Sequence, residues 1–186
     1  MKTTIKILSF LFIATLTFNG CSDDDDAPGV VNEEEVITTV TISLTPQGGG
    51  TTITLISDDP DGPDGPTAPS VTVSGDLAAS TTYNGSITFF NSIENEDITA
   101  EVEEEDDEHQ VFYASGLGTF AYGDADGDGN PIGLSFTFTT DAAGVGTLSA
   151  ILRHEPDKNA VGVSDGDITN AGGETDVEVT FDIITN

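Results

Sequence analysis

The chain has 186 residues, and its 34 acidic residues against four lysines and arginines give a formal net charge of −30 at pH 7. So large a negative charge excludes nucleic acid as a partner and excludes electrostatic attraction to an anionic membrane surface. The single cysteine excludes a disulfide within the chain, and the length suits one folded domain.

The N-terminus has the pattern of a bacterial lipoprotein signal. Two lysines precede an apolar run over residues 7–18, and Gly20 stands before Cys21, the only cysteine. The run is too short to span a bilayer, which takes about 20 residues. A basic start, an apolar run and a small residue before the cut are typical of a secretory signal. We therefore expect residues 1–20 to be removed and Cys21 to carry the lipid that anchors the protein.

Two residues before the cut, Phe18 and Asn19, depart from the usual lipoprotein pattern, in which Leu and a small residue are preferred. This leaves an ordinary secretory signal with a chance free cysteine as the alternative. Removing the signal also removes two of the four cationic residues and none of the acidic ones. Arg153 and Lys158 then remain, and the net charge falls from −30 to −32.

A short acidic run follows the predicted lipidation site. It consists of Ser22, Asp23, Asp24, Asp25 and Asp26. This run resembles the export signal of Bacteroidota surface lipoproteins, which implies an outer-membrane protein displayed at the cell surface. A solvated acidic linker, with the protein at the periplasmic face, is the alternative. We expect residues 21–32 to form the acylated tether and residues 33–186 the folded domain.

The remaining sequence alternates apolar and polar residues with a period of two. Ten segments show it: residues 36–43, 51–56, 70–73, 81–90, 98–102, 110–114, 118–122, 132–139, 147–153 and 176–184. Such alternation over these lengths, with turn-forming residues between, predicts half-buried antiparallel strands. About nine strands favour an all-β, antiparallel β-sandwich of the immunoglobulin or fibronectin kind, with a closed barrel as the alternative. No helix is expected after residue 20.

One loop has the spacing of a calcium-binding loop. Asp124, Asp126 and Asp128 alternate ahead of Gly129 and Asn130. Loops of this kind surround Ca²⁺ with oxygen ligands at alternate positions, and a glycine then allows a sharp turn. The glutamate that calcium-binding loops of this kind carry at their twelfth position is missing here, so a further carboxylate, from Asp165 or Asp167, would be needed. The alternative is a polar turn that binds no ion. Residues 58–65 form a weaker, proline-stiffened candidate of the same kind.

The two histidines form the other candidate site. His109 follows an acidic run over residues 101–108, which we expect to be a solvated hairpin tip, and His154 ends a predicted strand. Two imidazoles with Glu108 or Glu155 suit a transition metal, and two histidines alone suit haem ligation from both sides. Either site requires the two histidines to meet in space.

Several segments resemble a family of small Bacteroidota surface lipoproteins whose members are often labelled type 1 periplasmic binding domain proteins. They are residues 32–40, 127–134, 152–156 and 166–176. That label implies two α/β lobes, whereas this chain lacks alternating strands and helices, so the resemblance implies a lipoprotein. By analogy with similar lipoproteins, it implies a partner that helps a TonB-dependent receptor capture a ligand.

The sequence contains no nucleophile elbow, phosphate-binding loop or catalytic cysteine, so we expect no enzyme activity. The expected function is that of a lipid-anchored binding or accessory protein. The alternative is a structural or adhesive surface protein whose loops are stabilised by calcium.

Overall fold

The computed structural model describes residues 35–63 and 65–186, which form one compact unit. Cys21 and the acidic run Ser22 to Asp26 lie outside the described residues, so lipidation and sorting stay predictions. The helix and strands are β1 (Thr39–Pro46), β2 (Ile53–Asp58), β3 (Ser70–Val73), β4 (Thr82–Phe90), α1 (Ile98–Glu104), β5 (His109–Ser115), β6 (Gly118–Tyr122), β7 (Ser135–Thr140), β8 (Gly144–His154) and β9 (Glu174–Thr185).

The strands form two separate antiparallel sheets. The larger sheet has the order β3-β2-β1-β4-β7-β6, and the smaller has the order β5-β8-β9. Inward-facing residues such as Ile42, Phe89, Phe138, Leu148 and Phe181 pack together in one hydrophobic core between them. The predicted antiparallel β-sandwich is confirmed.

Among the described residues, every core side chain lies between Ile37 and Ile183. A chain without its first 21 residues therefore keeps the entire core of the described domain.

The prediction of a strand over residues 98–102 was wrong, as was the expectation that no helix follows residue 20. This segment forms α1, in which Ile98 and Val102 are buried in the sandwich core. Their spacing of four residues places them on one face of a helix. The side chain of Asp97 caps the helix by accepting a hydrogen bond from the Thr99 N–H. Residues 101–108 are consequently the end of a helix and the turn after it, and not a hairpin tip.

The segment after β8 covers the outer face of the smaller sheet. It contains two short 3₁₀ turns, Val163–Asp165 and Ile168–Asn170. Val163 and Ala171 are buried against Phe112 of β5, and the three form a second, smaller apolar cluster. This cover explains why β5 is buried on both faces over its first four residues. Among the described residues, no helix is long and apolar enough to cross a membrane.

Candidate metal centre

The two histidines are direct cross-strand neighbours. In the antiparallel ladder between β5 and β8, His109 stands opposite His154. Both side chains point into the sandwich, as Val111 and Leu152 do further along the same strands. The ring centroids are 4.5 Å apart with an angle of 28° between the planes, so the rings stack. The two histidines that the sequence singled out are thus brought together, and they are almost completely buried.

A β-bulge aims Asp176 at this histidine pair. The register between β8 and β9 shifts at Leu152 and Arg153, which pair with Val177 and Thr175, so Asp176 is the residue with no opposite neighbour. A bulge of this kind redirects a side chain that regular alternation would place on the other face. The Asp176 side chain is fully buried, with Oδ2 3.8 Å from His109 Nε2 and Oδ1 3.8 Å from His154 Nδ1.

Arg153 holds the turn that leads into the bulge. Its Nε donates a hydrogen bond to the carbonyl of Gly172 at 3.0 Å, and its guanidinium also donates to the Gly173 carbonyl and to Thr175 Oγ1. Gly173 has a positive φ of 66°, and a Cβ atom there would lie 2.1 Å from the carbonyl oxygen of His154. A glycine is therefore required where the turn crosses the end of β8. These contacts fix the backbone on both sides of Asp176.

Glu105, at the C-terminal end of α1, supplies a carboxylate to the same cluster. One potential ligand atom from each of Glu105, His109 and His154 lies within 4.8 Å of the other two. The Glu105 carbonyl oxygen is also 3.2 Å from His109 Nδ1, which orients that ring. On the opposite side, Glu108 places Oε2 3.7 Å from His154 Nε2. The histidine pair on β5 and β8 is therefore flanked by groups from the end of α1, from the turn after it and from β9.

The histidine nitrogens are well suited to accept a ligand. Neither His109 Nε2 nor His154 Nε2 forms a hydrogen bond with another described residue, although both atoms are buried. Burial lowers the pKa of His109 below its ordinary value, with a further lowering from His154, against the raising effect of the Glu105 carbonyl. Neutral imidazole is the form that binds a metal ion. Burial thus favours, at His109, the protonation state that a metal requires.

An acidic cavity of about 500 Å³ opens next to the cluster. Its lining includes six glutamates: Glu35, Glu94, Glu96, Glu101, Glu104 and Glu105. Burial, followed by a hydrogen bond and charge repulsion from Glu101, raises the pKa of Glu35 to about 7. Because Glu105 belongs both to this cavity and to the histidine cluster, the cavity forms a negatively charged approach that favours cations.

The other predicted ligand, Glu155, is not part of this cluster. It is exposed, and its backbone has a φ of +48° directly after the end of β8. Glu105 stands within ligand distance of the two rings in its place. Sequence reasoning also missed Asp176, which falls in a segment read correctly as a strand.

The geometry does not fit haem. A haem bound by two histidines has one imidazole on each face of the porphyrin, with the iron between them. His109 and His154 instead stack face to face in the core with centroids 4.5 Å apart. The rings are too close together, and turned the wrong way, to hold a porphyrin between them.

The predicted calcium loop is held by its own hydrogen bonds. Asp124 accepts hydrogen bonds from the main-chain N–H groups of Gly133 and Ser135, at 2.7 and 2.6 Å. Asp126 Oδ1 accepts from the N–H groups of Asp128 and Asn130 at 3.0 and 2.8 Å. Both aspartates thus already serve as acceptors for the loop itself.

A buried lysine occupies the remaining oxygen of Asp126. Lys158 Nζ lies 3.0 Å from Asp126 Oδ2, and it also donates to the carbonyl of Asp106. Burial alone would raise the pKa of Asp126, but the hydrogen bond and charge of Lys158 lower it below the ordinary value. Lys158 therefore supplies the positive charge that Ca²⁺ would bring, and calcium binding at this loop stays a prediction.

The weaker loop candidate also uses its carboxylates internally. Asp61 Oδ2 accepts a hydrogen bond from the Thr67 N–H at 3.1 Å. This contact lowers the pKa of Asp61 and closes the loop after β2. Asp64, in the same loop, lies outside the described residues.

No family model, curated protein or solved structure matches this chain. The functional interpretation therefore rests on the geometry described above.

Proposed function

We propose that this chain is a lipid-anchored protein whose β-sandwich captures a divalent transition-metal ion, with Zn²⁺ as the favoured ion. His109 and His154 would supply nitrogen ligands, and Asp176 and Glu105 would supply carboxylate oxygens. The observation that carries the proposal is the convergence of Glu105, His109 and His154, each of which places a potential ligand atom within 4.8 Å of the other two, with both histidines buried.

The spacing of these three groups suits a metal centre. Ligand atoms in a tetrahedral zinc site, each about 2.0–2.1 Å from the ion, stand roughly 3.4 Å apart. Side-chain rotation would have to bring the ligand atoms of Glu105, His109 and His154 closer together to hold one ion, and Asp176 lies next to both histidines, 3.8 Å from each.

The chemistry of the donor set also supports this choice. Imidazole nitrogens with carboxylate oxygens suit Zn²⁺, and related divalent ions such as Cu²⁺ and Ni²⁺ bind the same groups. A divalent cation would offset the negative charge of the glutamates around the centre. The burial of both histidines and of Asp176 leaves little room for a substrate at the ion, which favours binding over catalysis.

The acidic cavity and the predicted lipid anchor support a role for this centre in capturing metal ions. Glutamates lining the cavity beside Glu105 would concentrate cations next to the ligands. Attachment through Cys21 and display through the acidic run after it would hold the domain at the outer membrane. Delivery of the ion to a TonB-dependent receptor is the further step that the lipoprotein resemblance implies.

Calorimetric titration of residues 22–186 with Zn²⁺ tests the metal centre. We expect one ion per chain, with binding lost in His154→Ala and weakened at least tenfold in Asp176→Asn. Glu155→Gln is the matched control, because it removes a neighbouring carboxylate that lies outside the cluster. Substitution with Co²⁺, whose visible absorption bands report tetrahedral coordination, checks the geometry. Stoichiometric binding that survives both ligand substitutions would rule the proposed site out.

Protease treatment of intact cells tests the location separately. We expect the wild-type domain to be digested, and we expect protection when Asp23, Asp24, Asp25 and Asp26 are all replaced by alanine. Replacement of Cys21 by serine should prevent lipid attachment. Equal digestion of the wild type and the alanine variant would show that the acidic run does not direct surface display.

A further inference from the structure

The smaller sheet leaves one side of β9 open. It has three strands against the six of the sheet it covers, and β9 is one of its edges. The outer side of β9 is paired near its C-terminal end, where the Leu77 N–H donates to the Ile184 carbonyl at 2.8 Å. Main-chain groups alternate in direction along an antiparallel strand, so those of Thr180 and Glu178 point to the same side as those of Ile184. No other described residue forms a main-chain hydrogen bond with them on that side.

A groove of about 470 Å³ runs beside this open edge. Two buried residues contribute to it: Ile37, just before β1, and Val40 of β1. Val177 and Val179 contribute from β9. The far wall is the proline-rich segment after β2, with Pro63, Pro66 and Pro69. The groove therefore combines unpaired strand hydrogen-bonding groups with an apolar lining, which is the combination used to bind extended peptides by strand addition.

The groove also carries negative charge. Asp59 lines it, and its Oδ1 is buried without a hydrogen-bond partner among the described residues. Glu178, exposed on β9, lies at the rim. A buried carboxylate oxygen without a donor is costly, so the groove is complementary to a partner that brings a cationic donor.

We propose that this groove binds an extended, basic peptide segment of a partner protein as an added strand next to β9. The peptide backbone pairs with the main-chain groups of Glu178 and Thr180. Alternate apolar side chains of the peptide face Ile37 and Val40, and a lysine or arginine reaches Asp59. Asp176 of the proposed metal centre also lines this groove. The backbone pairing at Glu178 and Thr180 and the contact with Asp59 use none of the proposed metal ligands, so each proposal can fail without the other.

Nuclear magnetic resonance of residues 22–186 at physiological salt provides the test. The probe is a blocked heptapeptide that alternates lysine and valine. The control peptide has proline in place of each valine, which keeps the charge but removes alternate backbone donors and restricts the strand. We expect the lysine–valine peptide to slow amide exchange at Glu178 and Thr180 at least tenfold, and we expect the proline peptide to bind at least tenfold more weakly.

Two matched variants separate the groove from general attraction to an acidic protein. Asp59→Asn should weaken peptide binding several-fold. Asp182→Asn removes the same charge from an exposed position of β9 outside the groove lining, and should leave binding unchanged. Any of three results would overturn the proposal: absence of binding by the lysine–valine peptide, protection at the edge of β3 or β6 in place of β9, or equal effects of the two variants.

Discussion

His109 and Asp176 come from strands at opposite edges of the three-stranded sheet, yet His109 Nε2 and Asp176 Oδ2 are 3.8 Å apart in the core. His154, on the strand between them, lies at the same distance from the other oxygen of Asp176. The sheet is therefore bridged across its full width by three polar side chains. The buried Nε2 atoms of His109 and His154 form no hydrogen bond with another described residue, and this is the physical basis of the metal proposal.

Zinc should stabilise the folded domain. At a free ion concentration 100 times the Kd, binding to the folded state alone adds about 2.7 kcal/mol to the free energy of unfolding. For a domain of this size, this raises the melting temperature by roughly 5–10 °C. Thermal melts of residues 22–186 with Zn²⁺ and with chelator measure the shift. His154→Ala should show no shift, whereas Glu155→Gln should behave as the wild type.

The metal-free domain should lose stability between about pH 4.5 and pH 7 in a way that depends on Glu35. Burial and Glu101 raise the folded-state pKa of Glu35 to about 7 from its ordinary 4.5, so the folded state binds more protons in this interval. The free energy of unfolding therefore falls as the pH rises through it. Urea unfolding at several pH values should show a shallower decline in Glu35→Gln. Identical slopes in the two proteins would exclude a raised pKa.

Breaking the buried pair of Lys158 and Asp126 should destabilise the domain strongly. Both side chains are almost fully buried, and Lys158→Met would leave the Asp126 carboxylate without its counter-charge. Removal of one partner of a buried ion pair costs about 3–5 kcal/mol. Urea unfolding at pH 7 measures the loss. Adding Asp126→Asn to Lys158→Met should recover part of it; a double variant no more stable than the single one would contradict this explanation.

Gly173→Ala should disturb the metal centre from a distance. The added Cβ would meet the carbonyl oxygen of His154, so the turn before Asp176 must shift. We expect a loss of roughly 1–3 kcal/mol in the free energy of unfolding and weaker Zn²⁺ binding. Gly172→Ala is the control, because Gly172 has a similar positive φ of 62° with nothing within 4 Å of the added atom. Equal Zn²⁺ affinities in the two variants would show that the turn does not position the site.

Calcium should raise the melting temperature less than zinc does. The carboxylates of Asp124 and Asp126 already accept hydrogen bonds within the loop, and Ca²⁺ would have to displace Lys158 to reach Asp126 Oδ2. Melts at equal concentrations of the two ions compare the sites, with Asp128→Ala removing an exposed candidate calcium ligand. A calcium shift that exceeds the zinc shift and disappears in Asp128→Ala would restore the loop as the principal metal site.

Alternation predicted most of the fold because each strand has one face in the core. It failed over residues 98–102, where Ile98, Ala100 and Val102 also satisfy a period of two. The spacing of Ile98 and Val102 fits a helix equally well, and Asp97 as a helix cap was the signal that could have decided between them. Short apolar patterns do not distinguish the two structures without such a cap.

The metal centre was only partly predictable for a different reason. His109 and His154 were candidates as the two histidines of the chain, but their contact depends on the pairing of β5 with β8, which local sequence does not specify. The alternation of apolar and polar residues could not have predicted the position of the Asp176 side chain. With Val177 and Val179 facing inward, alternation places Asp176 on the outer face, and only the bulge turns it into the core.

Because of the bulge at Asp176, the proposed metal centre could be lost without a change in the rest of the β-sandwich. Because this residue has no opposite neighbour in β8, removing it would let the ladder run on regularly from Val177 to Thr175. The apolar residues of β9 would keep their positions, and the cluster would lose its central carboxylate. A sandwich with this centre and a sandwich without it thus differ by a single inserted residue, so one three-nucleotide insertion or deletion is enough for a lineage to acquire or discard the site.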